Sequence, residues 1–227
     1  QNRSMNLSQR MIHLGIVLQR LQNEDWDYFD AELWMAHQQA LLASAPTGAE
    51  IPVNTDMFLL QNIKVLDRIG SKNTWVSEIC DSLEVTHRTT LVPKEGGERE
   101  FQVMQNTRCS KDAYEDALPR FQAEFADREY FFEDLMVAAA LFLAFPNLNS
   151  KEELWKSYVS LCSLYSLYRF VSVSSCKQGA TKERLFHAIV MASRSTLHNK
   201  DRFDGFQEEL FQHDSSTMAH MAILLGG

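Results

Sequence analysis

A cluster of aromatic and basic side chains is the first candidate for binding chemistry. Tyr165 and Tyr168 recur at helical spacing, and Arg169 stands among large apolar residues. Hydroxyls on an apolar helix could line a pocket, and a half-buried guanidinium needs a carboxylate or a ligand as its partner. Aromatic residues at this spacing are more often core residues, and an internal ion pair is the commoner partner of such an arginine. With both alternatives open, we take Tyr165, Tyr168 and Arg169 as candidate substrate-binding residues.

Two groups of acidic residues are candidates for contact with a positively charged partner. One lies between residues 24 and 32 and the other between residues 124 and 134. From the second group we take Glu124, Asp127 and Glu129 as candidate substrate-binding residues, because carboxylates attract a lysine ammonium. Acidic residues in the first turn of a helix also complement the helix dipole, which is the ordinary alternative.

The overall charge indicates which class of partner to expect. The chain has a formal net charge of −8. Nucleic-acid binding depends on clustered Lys and Arg side chains, so no nucleic-acid partner is expected. A basic or lysine-bearing protein suits the charge better, although moderate negative charge also favours solubility.

The cysteines and histidines lack the spacing of a metal site. No two cysteines form a C-x-x-C pattern, and no two histidines are four residues apart. We therefore predict no metal ligands and expect reduced, mostly buried thiols. Glycine-rich nucleotide loops and the usual hydrolase motifs are missing as well, so no catalytic residue is assigned and an autonomous enzyme is not expected. The four cysteines are Cys80, Cys109, Cys162 and Cys176.

The hydrophobic pattern predicts an all-α protein, an orthogonal or bundle-like domain of about nine or ten helices. Asn6 and Gln9 have the spacing of a capping box in front of the first helix. The helical pattern fails between residues 86 and 107, where Pro93 and two adjacent glycines predict an irregular loop or a small hairpin.

The domain organisation is predicted from the same pattern. We expect a single helical domain over residues 1–227, with residues 86–110 as a flexible connection between two helical sub-lobes. The chain begins at Gln1 and enters a helical pattern at once, so we expect it to be the C-terminal part of a longer protein. The most apolar run, Met136–Phe145, predicts the central helix of the fold and is too short to span a bilayer.

Several segments in the same order resemble the C-terminal region of bacterial flagellin lysine-N-methylases. The first is the opening helix, residues 7–21, and the second is the block at residues 129–134 that leads to Phe145-Pro146. The others are residues 154–170, residues 193–199 and residues 218–222, so the resemblance covers nearly the whole chain.

The resemblance implies a cytoplasmic enzyme that transfers methyl groups from S-adenosylmethionine to flagellin lysines. It also implies a [4Fe-4S] cluster, which is held by a cysteine-rich motif near the amino terminus of the proteins in this family. The four cysteines here do not match that motif, so neither the cluster nor S-adenosylmethionine is expected to be held by this chain alone. We therefore expect the chain to recognise flagellin and act as a scaffold, and to be inactive by itself.

The alternative is a noncatalytic helical ligand-binding or protein-interaction domain, such as the effector lobe of a regulator. In that case the Met-rich and Tyr-rich core would form a pocket or a dimer face, so that a homo-oligomer is also an option. An upstream cysteine-rich segment would favour the methylase, whereas an upstream basic helix-turn-helix would favour the regulator.

Overall fold

The structure is a computed structural model of the 227-residue chain. The parts of the chain that it describes are residues 5–24, 30, 32–36, 39, 54–70, 74–83, 87–93, 99–105, 107–125, 129–147, 149–179, 181–212 and 216–226.

The described part of the chain is built mainly of α-helices, which confirms the predicted all-α class. Residues 32–36 are also helical. The main helices are α1 Leu7–Asn23, α2 Thr55–Gly70, α3 Thr74–Ser82, α4 Thr107–Phe125, α5 Glu129–Phe142, α6 Lys151–Ser175, α7 Lys182–Leu197, α8 Lys200–Gln212 and α9 Met218–Gly226.

A small antiparallel hairpin interrupts the helices where the helical pattern fails. Strand β1, His87–Pro93, pairs with strand β2, Arg99–Gln105. Pro93 lies at the end of β1, where a residue without an N–H group disturbs the ladder least. The predicted small hairpin near residues 86–107 is thereby confirmed.

The start of α1 follows from local sequence. The side chain of Asn6 accepts a hydrogen bond from the main-chain N–H of Gln9 over 2.9 Å. The side chain of Gln9 accepts one from the main-chain N–H of Asn6 over 3.0 Å. The predicted capping box is therefore present, and it satisfies two N–H groups that a helix start otherwise leaves unpaired.

The chain divides into two compact units. Unit 1 comprises residues 1–54, 128–166 and 207–227, and unit 2 comprises residues 55–127 and 167–206. The stretch 86–110, which we predicted to connect two sub-lobes, lies within the sequence range of unit 2. Its flexibility stays a prediction.

The core of unit 1 contains α1, α5, the first part of α6 and α9. The indole N–H of Trp155 on α6 donates to the carbonyl of Ser216 over 2.9 Å, immediately before α9. Arg10 on α1 forms a half-buried ion pair with Glu133 on α5. Polar contacts therefore fix the helices of this unit in addition to apolar packing.

The core of unit 2 is built around three aromatic rings. Phe58 on α2, Tyr114 on α4 and Phe170 on α6 are buried, with ring centroids 5.5 to 6.2 Å apart. One pair is tilted, one is edge-on and one is stacked, and edge-on and offset-stacked rings are favourable arrangements. The guanidinium of Arg120 on α4 also donates to the carbonyl of Lys177, just after α6.

Helix α6 is the most completely buried of the described helices. It has 25 residues, of which residues 151–166 belong to unit 1 and residues 167–175 to unit 2. Its serines are compatible with burial because their hydroxyls donate to carbonyls of the same helix four residues earlier, over 2.6 to 2.9 Å. These serines are Ser160, Ser163, Ser172 and Ser174.

The prediction that the helix containing Met136 would be central is wrong. On α5, Phe132, Met136 and Ala139 are buried and form one face. Val137 and Leu141 are 60% and 77% exposed. The apolar run therefore continues onto a surface face, and α6 is the more completely buried helix.

No helix among the described residues is long and apolar enough to cross a membrane.

Candidate functional site

A cavity in the described part of unit 2 lies between α3, the end of α6 and the beginning of α7. We call it the α3–α7 pocket. Its volume is about 430 Å³, within the range typical of ligand sites. It is lined by Trp75, Glu78, Ile79, Ser82, Ser174, Ser175, Glu183, Arg184, His187 and Ala188.

Helix α3 contributes one face to the pocket. Trp75, Glu78, Ile79 and Ser82 recur at intervals of three or four residues, which brings them to the same side of a helix. Trp75 and Ile79 are each only 6% exposed, whereas Glu78 is exposed. This face therefore combines an apolar floor with a carboxylate at the rim.

Helix α7 contributes most of the charged rim. The side-chain oxygen of Thr181 caps the helix by accepting from the main-chain N–H of Arg184 over 3.3 Å. Glu183 lies in the first turn, where the helix dipole favours a carboxylate. Arg184 and His187 are also exposed, while Ala188 is buried and adds to the floor.

Serine side chains close the pocket where α3 and α6 end. The hydroxyl of Ser82 donates to the carbonyl of Ile79 over 2.8 Å and also lies 3.4 Å from the carbonyl of Ser174. The hydroxyl of Ser174 donates within α6, to the carbonyl of Phe170. The hydroxyls of Ser82 and Ser174 donate to main-chain carbonyls of their own helices. These serines therefore contribute to the shape of the pocket rather than a nucleophile.

The charges at the rim favour a cation by a small margin. Two carboxylates, Glu78 and Glu183, stand against the guanidinium of Arg184, so the formal sum is −1 with His187 neutral. Neither carboxylate has a salt-bridge partner among the described residues. The C-terminal ends of α3 and α6, where the helix dipole is negative, add to this negative charge. The N-terminal end of α7, where the dipole is positive, partly offsets it.

Trp75, which lines the pocket, carries a buried polar atom. Its indole Nε1 is buried and has no hydrogen-bond partner among the described residues. A buried N–H group left in this state costs on the order of 1 to 3 kcal/mol of stability.

The described thiols are buried, and burial affects their protonation. Burial raises the pKa of the Cys162 thiol to about 12 and that of the Cys176 thiol to about 11. The Cys176 thiol donates to the carbonyl of Ser172 over 3.3 Å. Cys80, Cys162 and Cys176 are buried and form no disulfide, as we predicted for most of the thiols. Within the described residues, no group of three or more His, Cys, Asp or Glu side chains could hold a metal ion.

The two candidate tyrosines are buried in different units. In unit 1, the hydroxyl of Tyr165 lies 2.9 Å from that of Ser8, and its ring packs edge-on against Phe132. In unit 2, the hydroxyl of Tyr168 accepts from Ser193 over 3.1 Å. Burial raises the pKa of Tyr168, so this hydroxyl stays protonated at neutral pH. The structure thus gives both hydroxyls partners within the protein, and substrate binding by them stays a prediction.

The structure describes only some of the charged candidate residues. Arg169 is half-buried on α6, next to Tyr168, and has interactions within the protein. Glu124 is exposed near the end of α4. Asp127 lies outside the described residues, and Glu129 begins α5 with a side chain that is not described. Their role in substrate binding stays a prediction.

Sequence reasoning missed the residues of the α3–α7 pocket. The available signal was the spacing of Trp75, Glu78 and Ile79 on α3 and of Glu183 and His187 on α7. Each set alone is typical of an ordinary amphipathic helix. Only the packing of α3 with α7 brings them together.

Comparison with known families decides the membership of the chain. The model of the FliB lysine N-methylase C-terminal domain matches residues 1–224. The chain belongs to this family. The resemblance to lysine N-methylases seen in the sequence is thereby confirmed, and the FliB domain covers nearly the whole of both units. No match was found among the curated proteins or the solved structures compared with the chain.

Membership identifies the class of enzyme to which the domain contributes. A FliB lysine N-methylase is a methyltransferase, so the complete enzyme acts on lysine side chains. The matched region is the C-terminal domain of that enzyme. The question that the structure can address is therefore which part of the reaction this domain serves.

Proposed function

We propose that this domain recognises flagellin and acts as a scaffold in a lysine N-methyltransferase that uses S-adenosylmethionine. The observation that carries the proposal is the family match over residues 1–224. The α3–α7 pocket supports it, because its rim carboxylates have no salt-bridge partner among the described residues and suit a lysine-bearing protein. The net charge of −8 favours the same class of partner.

The chemistry of methyl transfer requires more than this domain supplies. A lysine side chain has a pKa of about 10.4 and must lose its proton before its nitrogen can attack. S-adenosylmethionine supplies the methyl group, whose carbon–sulfur bond breaks as the carbon–nitrogen bond forms. The described residues of this domain contribute binding and orientation of the protein substrate.

The α3–α7 pocket lacks a feature that nucleoside sites usually have. A site for a nucleoside usually needs glycine, because backbone must approach the ligand closely. None of the residues that line the α3–α7 pocket is a glycine. The four cysteines also do not match the cysteine-rich motif that the resemblance implies for the [4Fe-4S] cluster. We propose that the donor and the cluster are held by another part of the enzyme.

A binding titration tests the recognition role. Purified flagellin is titrated into the chain at about 50 mM and about 300 mM salt, and the dissociation constants are compared. We expect binding that weakens as salt rises, because exposed charge pairs are screened over about 8 Å at physiological ionic strength.

Flagellin acetylated on its lysines is the matched control. Acetylation keeps the fold and most of the surface but removes the lysine charge. We expect the acetylated protein to bind more weakly than native flagellin. If native flagellin does not bind at all, the recognition role is wrong. If both forms bind equally well, lysine recognition is wrong.

A further inference from the structure

We propose that the α3–α7 pocket binds the side chain of a protonated lysine as an anchoring subsite, separate from the site of methyl transfer. This inference rests on the proposed function, since it assumes that a lysine-bearing protein is the partner. It goes further by assigning the contact to Trp75, Glu78 and Glu183 and by stating which form of lysine binds.

The shape of the pocket suits a long aliphatic side chain with a charge at its end. Trp75, Ile79 and Ala188 form the buried floor, on which methylene groups can pack. Glu78 and Glu183 stand exposed at the rim, on two different helices. A lysine laid across this surface would bury its stem against the floor and keep its ammonium beside both carboxylates.

The lack of a described salt-bridge partner for Glu78 and Glu183 supports placing the lysine ammonium at the rim. Both lack a salt-bridge partner among the described residues, so an incoming ammonium does not have to displace a cation in that part of the chain. Arg184 lies at the same rim and opposes a cation, so the attraction is modest. The pocket therefore suits one anchor among several contacts rather than a tight site for free lysine.

The indole of Trp75 offers a second contact of a different kind. Its N–H group is buried and has no acceptor among the described residues. Because this nitrogen is inaccessible to solvent, a main-chain carbonyl of a bound polypeptide can accept from it only after the Trp75 side chain moves.

The rim charges also indicate which step the pocket does not perform. A nearby carboxylate stabilises the charged form of an amine and raises its pKa. Methyl transfer needs the neutral amine. A lysine held between Glu78 and Glu183 keeps its proton, so the pocket anchors one lysine while a different lysine reacts elsewhere.

An NMR titration tests the pocket directly. The probe is Nα-acetyl-lysine N-methylamide, and the signal is the Trp75 indole N–H resonance, identified by its loss in Trp75→Phe. We expect a saturable shift with a dissociation constant on the order of millimolar, as for a small ligand. The same molecule acetylated on Nε is the uncharged control, and it should shift the resonance far less. Equal shifts from both molecules, or none from either, would overturn the proposal.

Charge-reversal variants separate the pocket from a general charge effect. Glu78→Lys with Glu183→Lys should weaken binding of the probe about tenfold, because two attractions become repulsions. Asp81→Lys with Glu115→Lys is the matched control, since both residues are exposed in unit 2 and neither lines the pocket. Should the first pair fold poorly by circular dichroism, Glu78→Gln with Glu183→Gln replaces it, with a smaller loss expected. Equal weakening by test and control variants would contradict the proposal.

Two further measurements distinguish a lysine subsite from a nucleoside site and from a pocket that flagellin does not use. S-adenosylhomocysteine is titrated under the same conditions, and a shift of the Trp75 resonance at lower concentration than with the lysine probe would show a nucleoside site instead. Flagellin binding is measured for the same variants. If flagellin binds the Glu78→Lys/Glu183→Lys chain as tightly as the native chain, the pocket proposal fails and the recognition role stands. If the lysine probe binds but flagellin does not, the recognition role fails and the pocket stands.

Discussion

The hydroxyl of Tyr158 donates a hydrogen bond to the main-chain carbonyl of Met11 over 3.1 Å. Tyr158 is fully buried on α6, and its ring lies against Gly15, four residues after Met11 on α1. A Cβ atom at Gly15 would lie 2.5 Å from ring atom Cζ of Tyr158 and 2.6 Å from the sulfur of Met218 on α9. The close packing of α1 with α6 and α9 in unit 1 therefore depends on a glycine.

Replacement of Gly15 by alanine tests this packing. Alanine is the better helix former by about 1 kcal/mol, so helix propensity alone predicts stabilisation. We expect instead that Gly15→Ala lowers the free energy of unfolding by about 1 to 3 kcal/mol, because the added methyl group overpacks the core. Urea unfolding followed by circular dichroism measures the change. Gln19→Ala, at an exposed position on the same helix, should change stability by less than about 0.5 kcal/mol. A more stable Gly15→Ala protein would contradict the described contact.

Removal of the Tyr158 hydroxyl tests the hydrogen bond separately from the packing. Tyr158→Phe keeps the ring and should cost about 0.5 to 1.5 kcal/mol, the usual net contribution of one hydrogen bond. Tyr130→Phe is the matched control, because Tyr130 is exposed on α5. The two variants are compared by urea unfolding under the same conditions. Equal stability of both variants would mean that the Tyr158 hydroxyl contributes nothing.

How far the sequence predicts this fold depends on how local each feature is. The capping box of Asn6 and Gln9 involves residues three apart, so its pattern can be recognised without any tertiary information. Which of α5 and α6 is the more completely buried is not a local feature. Serines such as Ser163 make α6 look polar, yet their hydroxyls bond to the helix itself and permit burial. On α5, side chains such as Leu141 are apolar but exposed, which only the packed structure reveals.

The same limit applies to the candidate site. The pocket brings Trp75 and Glu78 on α3 together with Glu183 on α7, and these helices are far apart in sequence. Tyr165 and Tyr168 are conspicuous in the sequence because aromatic side chains recur on an apolar helix. That pattern is shared by core residues and pocket residues, so it cannot distinguish them.

Buried thiols should make the stability of the domain depend on alkaline pH. The pKa of Cys162 is raised by burial from 9.0 to about 12. Above pH 9 the unfolded thiol loses its proton while the folded thiol keeps it, so rising pH favours unfolding. This contribution to stability is fully present below pH 9 and is lost as pH rises through about 12.

Urea unfolding between about pH 7 and pH 10.5 measures this effect. We expect stability to fall above pH 9, and Cys162→Ala should reduce the steepness of the fall although it lowers stability at every pH. Burial raises the pKa of Tyr158 as well, so some alkaline loss should remain in the variant. The same slope with and without the Cys162 thiol would contradict its burial.

Pocket variants should affect substrate binding rather than chemistry in the complete enzyme. In the full-length enzyme, Glu78→Lys with Glu183→Lys should raise KM for flagellin by about tenfold and leave kcat nearly unchanged, because an anchoring contact is the same in the ground and transition states. Asp81→Lys with Glu115→Lys should change neither value by more than about twofold. A fall in kcat at constant KM would instead place the pocket at the reacting lysine.

The carboxylates predicted from the sequence provide a separate test of the acidic surface. Charge reversal at Glu124, Asp127 and Glu129 together should weaken flagellin binding if this region contributes to long-range attraction. We expect a loss that disappears at about 300 mM salt, where exposed charges are screened. A loss that persists at high salt would indicate direct contact instead, and no loss at low salt would remove these residues from the substrate surface.

Transfer of a labelled methyl group to flagellin decides whether this domain recognises the substrate or also performs the chemistry. The chain is incubated with flagellin and labelled S-adenosylmethionine, and binding to flagellin is recorded in the same samples. The full-length enzyme, tested in parallel, shows that the substrate and the donor are competent. We expect the chain to bind flagellin without labelling it, while the full-length enzyme labels it. Label transferred by the chain alone would contradict the division between recognition in this domain and chemistry elsewhere.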